Sequence, residues 1–488
     1  MLVGLNVAPL GGHAHSEAPG SPSRTSWFRC RGYAVVLASL LAPSRAITQD
    51  VAITRVTVIP ATGAAPIPNA TVLIRGRTID AIGPSASVAV PRGARIIDGQ
   101  GKYLIPGLIE MHAHTSKTRA SALGLYIANG VTTVRDAGSE HAEVLKWRRE
   151  IRAGTRVGPR LLIAGPYLES QRNIERMRAD PPAARVEPFE RARIGIGTPA
   201  RAKHVVDSLA KLELDFFKIR TVQDTATYRA IVAAARENGK YVTGHVNANS
   251  PEAVVAAGQR GVEHGWPVAM DAVPRERRME IWRSLATAGV GVTPTLMVYT
   301  AGVFATDSAI RVALNDSSGR IEPRRKYVSR FLVQDWNEQY LERSPRTQAA
   351  LTALFASVLR NYREMREAGV QLMTGSDVAV LGIFPGSALH GELENFVTLL
   401  GMPPGEAIER ATRIPAEFMG IADSIGTIQK GKVADLVLLN ANPLSDIRHT
   451  TQVAVVISGG KVYDRTGIER ILADVLRAED LRVNDWRR

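Results

Sequence analysis

The sequence predicts an α/β protein: a TIM-like (β/α)8 barrel accompanied by a small β-sandwich domain formed from both ends of the mature chain. Three observations predict it. Between residues 106 and 423, apolar strand-like runs alternate with helical segments, the pattern of repeated βα units around a parallel sheet. Those runs number eight, as a (β/α)8 barrel requires. On either side, at 47–105 and 424–466, short β-branched runs punctuated by Gly, Pro and Asn give the texture of a small antiparallel sheet. At 488 residues the chain also exceeds the ~250 to 300 at which single cores stop growing, so a large domain with a smaller companion is expected.

In chain order, residues 1–46 read as a leader. Arg24, Arg29 and Arg31 precede the apolar run YAVVLASLLA at 33–42, then come Pro43 and Ser44-Arg45-Ala46, with small residues where a signal peptidase inspects the chain. The expectation is an exported protein, periplasmic or secreted, cleaved near Ala46. The competing reading is an extension with a chance apolar stretch, because the run begins far from Met1. The run is too short to span a bilayer, and Cys30 lies before it instead of at its end, where a lipidated cysteine would be.

The strand runs of the barrel are YLIPGLIEMHAHT, GVTTVRDAG, PRLLIAGPYL, DFFKIRT, KYVTGHVN, GVEHGW, GVGVTPTLMVYT and VQLMTGSDVAV, with helical segments such as 225–238 and 251–260 between them. Two connections, 169–198 and 301–345, are too long for simple turns. In a barrel both follow strands and hang over the active-site face, so they are expected to be substrate lids. Residues 467–488 read as a C-terminal helical tail.

Composition excludes several classes. The hydrophobic share of 45% and charged share of 22% are ordinary for a globular protein and argue against disorder or a polytopic membrane protein. The net charge of +14 is spread along the chain without a basic helix or an aromatic-interleaved patch, which argues against nucleic acid and leaves acidic substrates open. The single cysteine excludes an intrachain disulfide and a thiolate cluster, so any metal must be held by nitrogen and oxygen.

The chemistry-bearing residues sit at the late ends of the strand runs, which in a barrel converge on one rim. His112 and His114 form His-Ala-His; on a strand, residues i and i+2 share a face, so both imidazoles can enter the mouth and share an ion. The motif alone is weak, and His13-Ala14-His15 is its control: the same letters in a Gly-rich leader, after no strand. His245 ends KYVTGH and His264 ends GVEH; singly each would more often be a hydrogen-bonded histidine, but with the first pair they read as ligands. Lys218 ends DFFK, where burial disfavours the ammonium. Either it snorkels or pairs with a carboxylate, or, neutral, it is carboxylated and its carbamate oxygens bridge two metal ions. Such a donor set fits Zn²⁺ or a similar divalent ion. Asp377, in Thr374-Gly375-Ser376-Asp377, is either a cap or the carboxylate that a water-activating site needs as ligand and proton carrier.

In this order, from the strand runs at 51 through IPGLIEMHAHT, GVTTVRDAG, FFKIR, VTGHVNA, GVEHGW, VTPTL and TGSD to IGTIQKGKVADLVLL and NPL, the chain resembles the amidohydrolase superfamily, specifically imidazolonepropionase-like and prolidase-like (Xaa-Pro dipeptidase-like) members with a carboxylated lysine. The resemblance implies that His112 and His114 bind the more buried metal, His245 and His264 the more exposed one, that carboxylated Lys218 bridges both, and that Asp377 completes the buried site. After Lys218 the chain reads Ile-Arg-Thr-Val-Gln-Asp where many relatives have a Ser- and Gly-rich turn, which puts the substrate class in doubt.

The expected reaction is hydrolysis of an amide in a dipeptide or N-acyl amino acid, by attack of a metal-activated hydroxide with Asp377 as base and then acid. The alternatives are an ester, lactone or phosphotriester hydrolase on the same site, and a non-catalytic barrel used for binding, which would lack ligands. Arg220 shares the strand face of Lys218 and either clamps a substrate carboxylate or makes a structural ion pair. Tyr167, Tyr299 and His141 also follow strand ends and are candidates for the pocket lining, whereas His390, starting a helix, reads as structural. The partner expected is a small molecule; a homo-oligomer is left open.

Overall fold

The computed structural model describes residues 49–179, 189–222, 224–246, 250–266, 270–341, 348–478 and 481. The expected export signal, its cleavage near Ala46 and the His13-Ala14-His15 copy lie outside the described residues.

The two β-rich ends pair with each other. Strands Val51–Val58, Ile67–Arg75, Thr78–Pro84, Arg95–Asp98, Tyr103–Pro106, Leu436–Leu439, Val453–Ser458 and Lys461–Tyr463 make one eight-stranded sheet, and the ends meet where Tyr103–Pro106 runs antiparallel to Leu436–Leu439 with Leu104 opposite Leu438. Side-chain alternation buries both faces. Leu104, Leu436 and Leu438 join Val56, Val72 and Ile74 in the core of this sheet, whereas Ile105, Val437 and Leu439 join the core of the α/β part.

The sheet is mixed, not antiparallel as its texture suggests. Arg95–Asp98 and Tyr103–Pro106 both run parallel to Val51–Val58, on its first and second halves. The jog between them passes Gly99, where a Cβ would lie 2.6 Å from Val56 Cβ, so only glycine lets the chain step across there. Such pairing is non-local and leaves no mark in a residue pattern.

Between these ends the strands are parallel and fall into three sheets. The first holds Leu108–Ala113, Val131–Asp136 and Arg160–Ile163; the second Arg193–Ile196, Tyr167–Ser170, Phe217–Ile219 and Val242–Gly244; the third Gly261–Glu263, Gly291–Thr293 and Gln371–Leu372. Every expected strand run contains one of these strands, and helices such as His141–Ala153, Thr225–Glu237 and Arg275–Thr287 lie between them. Hydrogen bonds link the sheet edges: Asp215 N to Ile163 O at 2.9 Å, Arg260 N to Val242 O at 3.2 Å, and Asp377 N to His112 O at 2.9 Å. The protein is thus an α/β fold of parallel strands and helices joined to a mixed sheet.

The two long connections carry structure of their own. The first contains the unexpected strand Arg193–Ile196, which pairs in parallel with Tyr167–Ser170, a strand that begins in the expected third run and ends inside the connection, and extends the second sheet. The second contains helices Asp307–Asn315 and Arg330–Leu341, whose Ile310, Leu332 and fully buried Trp336 pack on Ala379, Leu381 and Phe384. That small core begins two residues after Asp377. The helix Arg465–Arg477, starting slightly before the expected tail, is capped by Asp464, which accepts from Gly467 N at 3.0 Å.

Candidate metal centre

The strand Leu108–Ala113 is buried along its whole length, so whatever chemistry it carries is delivered to the interior. His112 and His114, two residues apart, direct Nε2 at the same oxygen: His112 Nε2 lies 3.4 Å and His114 Nε2 3.3 Å from Asp377 Oδ1. His264 Nε2 lies 3.6 Å from Asp377 Oδ2. One donor atom from each of His112, His264 and Asp377 fits within 4.8 Å of the others, a separation one ion can span. His245 joins edge-on, its ring centroid 5.0 Å from that of His264, which is itself 4.9 Å from His112. The rings therefore form one continuous chain, without a gap between the pair on one strand and the pair on two others.

Three non-glycine residues at this rim, His264, Thr295 and Asp377, have φ of 63°, 51° and 54°. Each follows directly or closely the end of a strand of the third sheet. The left-handed region costs a non-glycine residue about 1–3 kcal/mol, and such residues persist where surrounding structure holds them for use.

A layer beneath fixes the imidazoles. His112 Nδ1 lies 2.7 Å from Glu263 Oε2, His114 Nδ1 2.9 Å from Gly138 O, and His264 Nδ1 2.6 Å from Thr295 Oγ1. The Thr295 hydroxyl gives its own proton to Pro294 O at 2.8 Å, so it accepts from His264. All three acceptors place the ring proton on Nδ1 and turn the Nε2 lone pair toward Asp377, the arrangement that metal-ligating histidines use. Glu263 is in turn gripped by Arg135 Nη2 at 2.6 Å and by the Thr243 hydroxyl, while Arg135 Nε donates to Met111 O at 2.7 Å. Glu110 accepts from the backbone N–H of His112 at 2.8 Å and of Ser376 at 2.9 Å, tying the first ligand strand to the Asp377 loop.

Burial sets the protonation states. It holds His112 down at about 3, with Lys218 adding to the effect, and depresses His245 and His264 for the same first reason. Burial alone would raise Asp377, but His112, His114 and His264 together hold it well below the usual carboxylate range. Burial lowers Lys218 to about 8. The site thus presents neutral imidazoles and an ionised carboxylate, the forms that ligate metal. His112 Nε2 and Lys218 Nζ are buried without a hydrogen-bond partner, although buried polar atoms are nearly always satisfied. An unpartnered imidazole lone pair and an unpartnered amine in a nest of nitrogen and oxygen groups fit a divalent cation.

The other candidates divide. Tyr167 Oη lies 2.9 Å from His114 Nδ1, and Arg193 and Arg220 stack over its ring at 5.0 and 5.6 Å. Arg220 forms the ion pair that was the competing reading, Nη1 to Glu169 Oε1 at 3.0 Å, yet its side chain remains 37% exposed. Arg193 shares that carboxylate at 3.5 Å, so two guanidinium groups face one acid. Tyr299 packs on Phe355 with ring centroids 6.2 Å apart, and His141 has Arg148, Glu213 and Arg149 as its charged neighbours. His390 is structural, bonded to Thr450 Oγ1 and Asn129 O at 3.0 Å each.

Sequence reasoning missed Glu263, Arg135, Glu110 and Thr295. Glu110 was legible, since it lies two residues before His112 on the same strand face. Arg135 is an arginine on a wholly buried strand, itself a signal. Glu263 was hidden: it precedes His264 directly, and strict alternation puts neighbours on opposite faces. The left-handed backbone at His264 breaks that alternation and lets both reach His112.

A family model described as the amidohydrolase family matches residues 103–463. A curated adenine deaminase of Paracoccus denitrificans is 32% identical over 82 residues, 16% of this chain and only 14% of that relative's length. Among solved structures, a Bifidobacterium longum protein provisionally described as a prolidase superposes with TM-score 0.65 at 24% identity, covering 88% of this chain and 99% of that one. A Xaa-Pro dipeptidase with bound methionine in its active site superposes with TM-score 0.63 at 21% identity, over 85% of this chain and all (100%) of that one. At these identities the likeness is one of fold.

Proposed function

The chain belongs to the amidohydrolase family, and from that premise we propose that it is a metal-dependent hydrolase cleaving the amide bond of a small substrate, a dipeptide or an N-acyl amino acid. One observation carries the reading: His112, His264 and Asp377 bring donor atoms within 4.8 Å while the Nδ1 of each ligating histidine is already committed elsewhere. The edge hydrogen bonds between the parallel sheets support taking residues 106–423 as one eight-stranded barrel, with the mixed sheet of 47–105 and 424–466 as its companion.

Two divalent ions, zinc by donor type, would be held by His112, His114, His245, His264 and Asp377, with Lys218 bridging them as its carbamate. When bound, they would supply a Lewis acid for the substrate carbonyl and lower the pKa of water to roughly 7. The remaining steps belong to side chains of this chain. Asp377, ionised and 3.3 to 3.4 Å from two histidines, accepts the proton of the attacking water on Oδ and returns it to the departing nitrogen as the C–N bond breaks. Glu263 and Thr295 keep two of the imidazoles in register throughout. Arg220, held by Glu169 with its side chain still 37% exposed beside Tyr167 and His114, suits a substrate carrying a carboxylate.

The test combines bound-metal stoichiometry, mass analysis of Lys218, and turnover of a panel containing dipeptides, N-acyl amino acids, lactones, phosphotriesters and adenine. Two ions per chain, a carbon dioxide adduct on Lys218 and amide turnover are expected. Asp377→Asn should lower kcat by ~10² to 10⁴ while retaining metal. One ion with an unmodified lysine removes the two-metal version, normal turnover by Asp377→Asn removes the proton carrier, and turnover confined to lactones, phosphotriesters or adenine replaces the substrate class.

A further inference from the structure

At the opposite ends of the same strands lies a second, strongly basic cavity of about 380 Å³. Its walls come from the start of Val131–Asp136 at Thr132, the start of Arg160–Ile163, the last turn of helix His141–Ala153, and the mixed sheet at Arg77, Gly459 and Lys461. Thr132 and Asp136 terminate the same strand, and Asp136 accepts from Thr115 N at 2.8 Å just after His114. At about 3.3 Å per residue the cavity therefore stands roughly 13 Å below the ligand rim.

Six cations line it, Arg77, Arg148, Arg152, Arg156, Arg160 and Lys461, against two carboxylates, Asp215 and Asp435. Both carboxylates are already committed: Asp215 to Arg148 at 2.7 Å and Asp435 to Arg160 at 2.9 Å. Arg156 bonds Glu150 at 2.6 Å, outside the lining. Arg77, Arg152 and Lys461, all three exposed, make no ion pair within 4.0 Å among the described residues, so their charge borders one shared cleft without compensation. Arg148, only 3% exposed, and Arg160 each keep a buried Nε–H with no acceptor. Gathering like charges around a shared cleft costs free energy through their mutual repulsion unless an anion occupies it. Ile151, Leu161 and Tyr463 give the same cavity an apolar side. The volume falls in the ~300 to 1,000 Å³ typical of small-molecule sites.

We propose that this cavity binds a small phosphate-bearing polyanion of the pyrophosphate type, held by Arg77, Arg152 and Lys461, at a site separate from the metal centre. Guanidinium forks match phosphate oxygens in pairs, and three uncompensated cations exceed what a single carboxylate would require. The ligand's organic part, if it has one, rests on the Ile151, Leu161 and Tyr463 side.

The experiment is calorimetric titration of inorganic pyrophosphate into the metal-loaded full chain, with citrate as a non-phosphate polyanion and metal content assayed before and after, since both probes chelate. Saturable pyrophosphate binding is expected. It should weaken roughly 10-fold or more in Arg152→Glu/Lys461→Glu and persist in His112→Asn. Should the charge reversal lower the melting temperature, Arg152→Gln/Lys461→Gln replaces it with the same expectation. Loss of binding in His112→Asn but not in the Arg152/Lys461 variants places the anion at the metal centre and overturns the proposal. No binding to the native chain overturns it as well, and citrate binding as tight as pyrophosphate overturns the phosphate assignment.

Discussion

Glu263, at the end of strand Gly261–Glu263, and Glu392, on the helix Ala388–Thr398, are both buried carboxylates near the metal centre, 1% and 0% exposed, and they are kept in opposite ionisation states. Glu263 meets charge: burial would raise it, but Arg135, His112 and Lys218 hold it well below the usual carboxylate range. Glu392 meets no cation, only dipoles such as the backbone N–H groups of Leu296 and Met297 at 2.9 Å each, and burial, reinforced by the Glu110 carboxylate, pushes it up to about 8. Two amides do not replace one guanidinium in a dry interior. The first carboxylate is therefore an electrostatic part of the ligand scaffold, orienting His112. The second is a cap that holds the chain leaving Thr295.

The contrast predicts a ranked series of effects. Arg135→Met, which strands the Glu263 charge, should lower unfolding free energy by ~3 to 5 kcal/mol in denaturant titration. A loss under ~1 kcal/mol would mean that His112 and Thr243 suffice and the comparison fails. Glu263→Gln keeps the shape but weakens the grip on His112 Nδ1, and metal affinity measured by competition with a chelator should fall ~10- to 100-fold. Thr295→Val removes the acceptor of His264 Nδ1 with little change of volume. Its effect on metal affinity should lie at the lower end of that range, ~10-fold, and no change would show that His264 is oriented by its backbone alone.

The smallest effect at acidic pH belongs to Glu392→Gln, and its signature is a pH slope. Glu392 keeps its proton when folded and releases it when unfolded between pH 4.5 and about 8, so its contribution to stability is present below that window and declines through it. The variant lacks this slope but faces the Met297 N–H with an amide donor, a fixed cost of about 1 kcal/mol. The native chain should consequently be the more stable at pH 4.5, and the two stabilities should cross as pH rises, leaving the variant the more stable by about pH 8. Parallel curves would show that Glu392 is ionised in the fold.

How far the molecule could be read from its sequence follows the range of the interactions. His112, His114, His245, His264, Lys218 and Asp377 could be singled out as candidates because each ends an apolar run, a local pattern that the strands Leu108–Ala113, Phe217–Ile219 and Gly261–Glu263 reproduce. The parallel pairing of Arg95–Asp98 with Val51–Val58 was not, because register between segments more than 40 residues apart has no local signature. Arg193–Ile196 was hidden by flanking Arg and Pro, which made 169–198 look like loop. Glu263 escaped for a different reason: the periodicity that reveals strand faces fails at the residue where the backbone turns left-handed.

That backbone also restricts which residues can occupy the rim. Histidine and aspartate enter the left-handed region more readily than most side chains, and asparagine more readily still, whereas a β-branched residue such as Thr295 resists it. Position 377 can therefore exchange Asp for Asn without disturbing the chain, so this variant reports chemistry free of folding artefacts. At position 295 backbone preference and hydroxyl placement pull in opposite directions, and a library screened for thermal tolerance alone should drift there toward Asn or Gly, losing the support of His264 as it gains robustness.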